Sequence, residues 1–530
     1  MKKIIFISVI LSLGFISCYE DQSTDASIEI GEIKVSIPEL GEPFSLVEIQ
    51  QGLVYSVNTT ITKDGDSNPD LSYEWRLNLM PRVEDYVVLS RDKDINEPIV
   101  RRPNSLPYTL WLVITDHQTN LQHHVYWDVR IISTSGDGLI VADTKDGMTS
   151  DISLVRSRYF SSGYTGEVLY KRNNFSAANG FNINGLVKKI QFGKTMLSNM
   201  STYKIFTLTE DDFFSIDPET YMVASSYDQL FVNPPSVKKP QAFSYSINQH
   251  MIYVDDGRLY FINYGQGSQS DIFTSYINYT APGSTQIKYY VSDYIASVTA
   301  YDSFMTYYDE TLSRFACVKG GLFSNLSFSD VTYDESVVNA YNPLSMPNMQ
   351  PLSAGVGTNG VYMHALKDKT TGEIAFYSII ADYDENSNQV FKSASKYATQ
   401  ACPDIDQAIS FETCENKDVV YYATPSAVYS AYFSASSVSA TSRFTPPAGE
   451  VITTIKLFHE AWYVLNAKDD YTPMNENGNQ LFVATYNETT QEGKVYALAI
   501  TNLAGALEAS SVEKTFGGFS RITALGTQGK

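Results

Sequence analysis

Short segments in which apolar and polar residues alternate run through the chain from about residue 28 to its end. They are separated by turns rich in Gly, Asp, Asn and Ser, which is the pattern expected of successive β-strands. The clearest case is Met251–Ile262, where two alternating runs flank Asp256 and Gly257, a strong signal for a two-residue hairpin turn. The pattern therefore predicts an all-β protein.

Residues 28–133 contain two segments that predict a β-sandwich. Because side chains alternate along a strand, each segment places four apolar residues on one face. The residues that we expect to face inward are Leu71, Tyr73, Trp75 and Leu77 in the first segment, and Tyr108, Leu110, Leu112 and Ile114 in the second.

Residues 134–530 are richer in Tyr and Phe, and a β-hairpin recurs in them every 45 to 65 residues or so. Copies begin near Met251, Phe304, Val361, Val419 and Trp462, and most follow another strand, as Ile452–Phe458 precedes Trp462. This period is typical of a β-propeller. A long array of β-sandwiches is the alternative.

The two ends of this region complement each other. Gly138–Ala142 begins a hairpin that lacks a preceding strand, and Phe519–Leu525 is a strand that lacks a following hairpin. Joined, they make one more blade, so we expect the C-terminal strand to close the ring and to remove an exposed sheet edge. Counting this composite blade, the sequence predicts seven blades.

The first seventeen residues have the composition of a signal peptide. Lys2 and Lys3 precede an apolar run that is too short to span a bilayer, and Ser17 precedes Cys18. A cysteine at this position is what a lipoprotein signal peptidase requires, so we expect Cys18 to be the lipidated mature N-terminus. An ordinary secretory signal that happens to end near a cysteine is the alternative.

Residues 18–27 form a short polar tether with Glu20 and Asp21 directly after the lipidation site. The pair resembles the acidic export signal that sends lipoproteins of Bacteroidetes to the outer face of the outer membrane. That resemblance implies a protein facing the cell exterior. A solvated linker is the other interpretation.

The net charge of the chain argues against one class of ligand, and the positions of its cysteines allow one disulfide. The net charge of −21 would become −23 on loss of the two signal-peptide lysines, which argues against binding nucleic acid. Cys317 stands alone, whereas Cys402 and Cys414 are close enough to form a disulfide across one loop if the compartment is oxidising.

Local catalytic patterns are absent from the sequence. The six histidines form no His-x-x-x-His pair, and there is no Cys-x-x-Cys metal pair, Gly-x-Ser-x-Gly elbow or phosphate loop. We therefore expect no metal and no cofactor. Carboxylates could still converge from distant blades to hydrolyse a glycoside without leaving a local pattern.

The segment Tyr108–Asp116 is similar to the penultimate strand of PKD-type immunoglobulin-like domains, and Trp75 resembles their core tryptophan. Together with the lipoprotein signal, the acidic tether and the β-repeats, it makes the chain resemble the PKD-like lipoproteins of Bacteroidetes. Those accompany outer-membrane transporters of the SusC and SusD type. The resemblance implies a non-catalytic accessory that binds a glycan or peptide. A propeller hydrolase or lyase and a structural or adhesive surface protein are the alternatives.

Replacing Cys18 with alanine should abolish lipid attachment, because no other segment is apolar and long enough to hold the chain to a membrane. Incorporation of radiolabelled fatty acid and membrane fractionation measure the effect, with Cys317→Ala as the control. A Cys18→Ala variant that remains labelled and membrane-bound would contradict the lipoprotein assignment.

Overall fold

The computed structural model describes residues 31–50, 54–64, 66, 69–99, 101, 106–132, 135–197, 200–246, 250–263, 272–280, 286–297, 303–320, 326–328, 331–334, 341–385, 389–434, 437–461 and 473–529. The chain divides into two compact units between Thr134 and Ser135, and both are built from strands. The sites predicted at Cys18, Glu20 and Asp21 lie outside the described residues. In the ranges given, the structure contains no helix that is both long and apolar enough to cross a membrane.

The first unit is the predicted β-sandwich. One sheet has the order β2-β9-β8-β5-β6, and the pairs β1-β4 and β3-β7 lie across the core from it. The strands are β1 Ile33–Ser36, β2 Leu46–Gln50, β3 Val54–Val57, β4 Thr60–Lys63, β5 Leu71–Asn78, β6 Tyr86–Ser90, β7 Ile95–Pro98, β8 Tyr108–Asp116 and β9 Gln122–Ile132.

Two tryptophans centre the sandwich core. Trp75 and Trp127 are buried with ring centroids 5.9 Å apart, and their indole N–H groups donate to the carbonyls of Lys93 and Gly41. These bonds satisfy the one polar atom of each ring, so neither ring buries an unpaired N–H group. The eight positions predicted to face inward all belong to this core or pack against it.

Asp116 ends β8 and joins two parts of the sandwich. Its carboxylate accepts hydrogen bonds from the Thr119 hydroxyl at 2.7 Å and the Gln118 backbone N–H at 3.1 Å, and it pairs with Lys63 at 2.9 Å. The Thr119 hydroxyl and the Lys63 ammonium lower the pKa of Asp116 to about 2. The aspartate of the PKD-like pattern thus has a structural role, since it fixes the β8–β9 turn to β4.

The described residues of the second unit include the remaining strands and a short helix, α1 Asn174–Asn179. The strands are β10 Gly138–Thr144, β11 Thr149–Arg156, β12 Leu169–Lys171, β13 Ile183–Asn184, β14 Lys189–Leu197, β15 Met200–Leu208, β16 Phe213–Ile216, β17 Val223–Ser225, β18 Pro240–Ser246, β19 His250–Asp255, β20 Arg258–Asn263, β21 Tyr279–Thr280, β22 Gln286–Ile287, β23 Val291–Ser297, β24 Ser303–Asp309, β25 Arg314–Gly320, β26 Ser327–Phe328, β27 Thr332–Tyr333, β28 Met349–Val356, β29 Tyr362–Asp368, β30 Ile374–Tyr383, β31 Gln389–Ala398, β32 Ser410–Thr413, β33 Val419–Ala423, β34 Val428–Phe433, β35 Val438–Phe444, β36 Glu450–Leu457, β37 Gln480–Asn487, β38 Glu492–Ala499, β39 Thr515–Phe519 and β40 Arg521–Gln528.

Within the described part of the chain these strands form the seven blades that the sequence predicts. Listed from the inner strand outwards, blade 1 is β40-β10-β11-β12, blade 2 is β14 to β17, blade 3 is β18 to β20, blade 4 is β23 to β26, blade 5 is β28 to β31, blade 6 is β32 to β35 and blade 7 is β36 to β39. The strand β27 pairs with the outer strand of blade 5.

Each blade is apolar on both faces. In β10, Leu139 and Val141 pack against blade 7, whereas Ile140 and Ala142 pack against blade 2. The same division gives one apolar core between every two neighbouring blades of the described ring. Strands buried on both faces have near-continuous apolar sequences, which explains why the middle strands of the repeats are so rich in Val, Ile, Tyr and Phe.

The hairpin after the second strand of most blades is fixed by a side-chain acceptor. Thr209, Asp309, Asp368, Thr424 and Asn487 each accept hydrogen bonds from the backbone N–H groups two and three residues later. Blade 3 instead uses the predicted two-residue turn, in which Asp256 and Gly257 both have positive φ, 45° and 72°.

The ring closes through β10 and β40, as the sequence predicts. The two strands are antiparallel from Gly138↔Gln528 to Thr144↔Arg521, with one irregularity after Ala142. The expected strand limits need one correction, because Phe519 ends β39, the outer strand of blade 7. The backbone crosses between the two blades at Ser520, whose N–H donates to the Asp143 carboxylate at 2.7 Å.

Cys402 and Cys414 are free thiols, so the disulfide considered from the sequence does not form in this structure. The physical reason is the sheet of blade 6, which lies between them. Cys402 is buried in the core shared with blade 5, and Cys414 is buried in the core shared with blade 7. Burial raises the pKa of both thiols, to about 11 and about 12.

Removing residues 521–530 should destabilise the whole propeller, because β10 would expose an unpaired edge and the cores on both sides of blade 1 would open.

The substitution Gln528→Ala tests the closing strand at a single side chain. The buried Gln528 amide accepts from the Tyr221 hydroxyl at 2.7 Å and donates to the Pro218 carbonyl at 3.0 Å. We expect the variant to lower the free energy of unfolding by about 2–3 kcal/mol.

Chemical denaturation followed by far-ultraviolet circular dichroism measures both changes, with Gln350→Ala, at an exposed position on the inner strand of blade 5, as the control. A truncated chain with an unchanged midpoint would show that the ring does not depend on its closing strand.

Replacing Asp116 with asparagine should destabilise the sandwich at neutral pH and have little effect near pH 2. The folded-state pKa lies below the usual value of about 3.9, so the stabilisation is complete above that value and is lost as the pH falls through about 2. Tryptophan fluorescence during urea unfolding measures it, because three of the four tryptophans lie in this unit. Asp70→Asn, at an exposed ion pair with His117, is the control. An effect of Asp116→Asn that is equal at both pH values would contradict the assignment.

Candidate functional site

The inner strands of the blades surround a central channel of about 430 Å³. Small and hydroxyl-bearing residues make up much of its wall, where seven strands converge. Gly526 illustrates the crowding, since a Cβ at this position would lie 2.8 Å from the Ile190 carbonyl oxygen. The uncharged polar residues of the wall include Gln191, Ser244, Ser297, Ser410, Thr413, Thr454, Thr523 and Thr527.

Charged side chains from three blades also line the central channel. Lys188 and Lys189 come from blade 2, Glu412 and Glu415 from blade 6, and Lys456 from blade 7. Glu412 and Lys456 form an ion pair at 3.0 Å. Lys188 is 3.9 Å from Glu210, and both side chains of that pair are largely exposed.

Lys189 differs from the other channel lysines because it has no ion-pair partner among the described residues. Its ammonium donates to the Phe243 carbonyl at 2.7 Å and lies 5.1 Å from the centre of the Phe243 ring. The Lys189 side chain is exposed to the solvent of the channel, and protein surrounds it on the other sides. The surrounding protein limits hydration of the ammonium, and together with the nearby Lys456 ammonium this lowers the pKa of Lys189 to about 8.

Burial also shifts the pKa of two other ionisable groups of the channel. Burial raises the pKa of Glu415, and the Lys456 ammonium opposes this only in part. Burial and Lys456 lower the pKa of His459 to about 4, so its ring is uncharged at neutral pH. Three lysines and two glutamates line the channel, so its lining has a small formal excess of positive charge inside a strongly acidic protein.

A second cavity of about 460 Å³, the blade 5–6 cleft, lies between the facing sides of these two blades. Its apolar side chains are Val361, Met363, Ile380, Val419, Val420 and Phe433. Eight side chains with hydroxyl groups surround them: Thr358, Ser378, Ser393, Ser395, Tyr397, Thr413, Tyr432 and Ser434.

The aromatic residues of the cleft are held by their neighbours. The Phe433 ring packs against Tyr397 at 5.0 Å and against Phe376 at 5.3 Å, both close to perpendicular. Tyr432 is 40% exposed and Ile380 is 38% exposed, so both present apolar surface to a ligand. The Thr358 hydroxyl donates to Asp418 and so joins the loops of the two blades at one end of the cleft.

The structure places the propeller histidines in different environments. His364 is buried on β29, bonds to the Thr306 hydroxyl at 2.9 Å, and has a pKa lowered to about 3 by burial. This is a structural role. His459 lies at the channel, and the side chain of His250 is outside the described part of the structure.

Sequence reasoning did not find the channel lysines or the cleft tyrosines. Lys189 comes from blade 2, whereas Glu412 and Lys456 come from blades 6 and 7, so no local spacing relates the three residues. The one usable signal was position, because each lies on or immediately before the first strand of a repeat, where a charged residue faces the axis. No group of three or more histidine, cysteine, aspartate or glutamate residues in the described ranges could hold a metal ion.

No protein-family model and no curated protein matches this chain. Among solved structures, it is similar to a quinonprotein alcohol dehydrogenase-like protein from Bacteroides thetaiotaomicron, with 11% identity, coverage of 93% of this chain and 98% of the other, and a TM-score of 0.42. It is also similar to the extracellular domain of a one-component system from B. thetaiotaomicron, with 9% identity, coverage of 89% and 86%, and a TM-score of 0.28.

A third similar structure is PorZ, a surface component of the type IX secretion system of Porphyromonas gingivalis, with 9% identity, coverage of 77% of this chain and 51% of the other, and a TM-score of 0.25. The assignment of the propeller rests on the strand order of its sheets and on the β10–β40 ladder.

Proposed function

We propose that the protein is a lipid-anchored surface lipoprotein that binds a glycan without turning it over, as an accessory of a SusC/SusD-type uptake system. The observation that carries the binding role is the blade 5–6 cleft, which combines exposed aromatic surface with a rim of hydroxyl groups. The lipid anchor, the surface location and the transporter partner are supported by Cys18, by Glu20 and Asp21, and by the family resemblance.

The chemistry of the cleft favours a saccharide over a peptide. Sugar rings have apolar faces that pack on aromatic side chains, and their hydroxyls exchange hydrogen bonds with serine, threonine and tyrosine. The cleft volume is within the usual range for small-ligand sites. Its charged groups are already engaged, because Asp418 accepts from Thr358 and Lys417 donates to Asn479 at 2.6 Å.

Replacing Tyr432 with alanine should weaken glycan binding by roughly five- to thirtyfold, the equivalent of about 1–2 kcal/mol for a lost aromatic contact. A glycan array and a peptide library identify the ligand for the parent protein, and calorimetric titration then compares the variants. Tyr294→Ala is the matched control, because Tyr294 is also 40% exposed but lies on β23. Equal losses in both variants, or binding of peptides alone, would contradict the proposal.

A hydrolase is the second candidate, and one observation favours it. Glu412 and Glu415 both line the central channel, and the pKa of Glu415 is raised by burial while Glu412 is paired with Lys456. Carboxyl groups in such different environments can act as acid and base in glycoside cleavage. New reducing ends released from a bound glycan, and abolished by Glu415→Gln, would replace the binding function with an enzymatic one.

A further inference from the structure

The central channel contains a cationic group that the proposed binding function does not use. Thr413 is the one residue common to the linings of the channel and the blade 5–6 cleft. Lys189, Lys456 and Lys188 belong to the channel alone, and so do Glu412 and Glu415.

We propose that the central channel binds the carboxylate of a small hydroxylated acid, such as a uronic acid, with Lys189 as its principal partner. The ammonium of Lys189 has one described hydrogen-bond partner, the Phe243 carbonyl, and therefore retains donors for a ligand. A carboxylate there would form a charge-assisted hydrogen bond in a confined site, where such bonds are strong.

The charge balance of the channel wall supports an anion. Glu412 forms its 3.0 Å ion pair with Lys456, so Lys189 is left without an ion-pair partner among the described residues. The described wall residues from the inner strands β18, β23, β28 and β40 are uncharged, among them Ser244, Ser297 and Thr523. Their hydroxyls suit the hydroxyl groups of a sugar acid rather than a purely apolar anion.

The lowered pKa of Lys189 is consistent with a carboxylate ligand. An ammonium with a pKa of about 8 is mostly protonated at neutral pH, and a bound carboxylate would favour its charged form. The groups that face it are Lys188, Lys456, Glu412, Glu415 and His459, and the ring of His459 stays uncharged across the neutral range. Carboxylate affinity should therefore fall as the pH rises from about 7 to about 9.5.

Calorimetric titration of the full chain with D-glucuronate, D-glucose and acetate tests the site. We expect D-glucuronate to bind and D-glucose not to bind in the channel. Stronger binding of D-glucuronate than of acetate would assign the site to sugar acids, whereas equal binding would assign it to carboxylates in general. Absence of binding by both anions overturns the proposal.

Two substitutions should change the affinity in opposite directions. Lys189→Met should weaken D-glucuronate binding about tenfold or more, and Lys189→Arg should retain most of it. Glu412→Gln should strengthen binding severalfold, because it releases the charge of Lys456. Lys392→Met, at an exposed ion pair with Asp382 in blade 5, is the control.

Unchanged affinity in Lys189→Met overturns the assignment to this lysine, and thermal unfolding of each variant shows whether the fold is intact. The proposal does not depend on glycan binding in the blade 5–6 cleft. Tyr432→Ala should leave D-glucuronate binding unaltered, so either site can fail without the other.

Discussion

The antiparallel ladder between β10 and β40 is the interaction on which the rest of the propeller depends. Every blade has two apolar faces, so each needs a neighbour on both sides, and an open row of such blades would leave two apolar faces in water. Pairing the last strand of the unit with its first hairpin removes both ends at once. The Gln528 amide adds polar contacts to blade 2 at the same place. Closure therefore couples local strand pairing to the stability of all the blades.

The closed ring also holds repeats of weakly related sequence in equivalent positions around its axis. The Thr, Asp or Asn acceptors after the second strands differ in identity, yet each satisfies the N–H groups of its turn. What the repeats share is thus a pattern of burial and hydrogen bonding. A rigid ring of this kind fixes the inner strands, and charged side chains on those strands are positioned before any ligand arrives, which lowers the entropic cost of binding.

Features that depend on local pattern could be predicted from the sequence. Trp75 and the inward face of Tyr108–Asp116 follow from strand alternation, and the composite blade follows from an unpaired strand at each end of the repeats. The assignment of Phe519 to the closing strand was wrong because β39 and β40 are separated only by Ser520, with no long turn between them. The disulfide considered between Cys402 and Cys414 is absent for a related reason. Their short separation in the sequence does not reveal that a sheet lies between the two side chains.

The sites are harder to predict, because they arise from the ring rather than from any one repeat. Lys189, Glu412 and Lys456 become neighbours only when blades 2, 6 and 7 are arranged around one axis. An isolated lysine on a strand is ordinarily a solvated surface residue. In the channel it is confined, and Lys456 adds repulsion that Glu412 offsets only in part. The protein as a whole is strongly acidic, and its net charge repels anions. The channel lysines are a local exception to this repulsion. Such a site gains selectivity from its position, because only an anion small enough to enter the channel reaches the charge that attracts it.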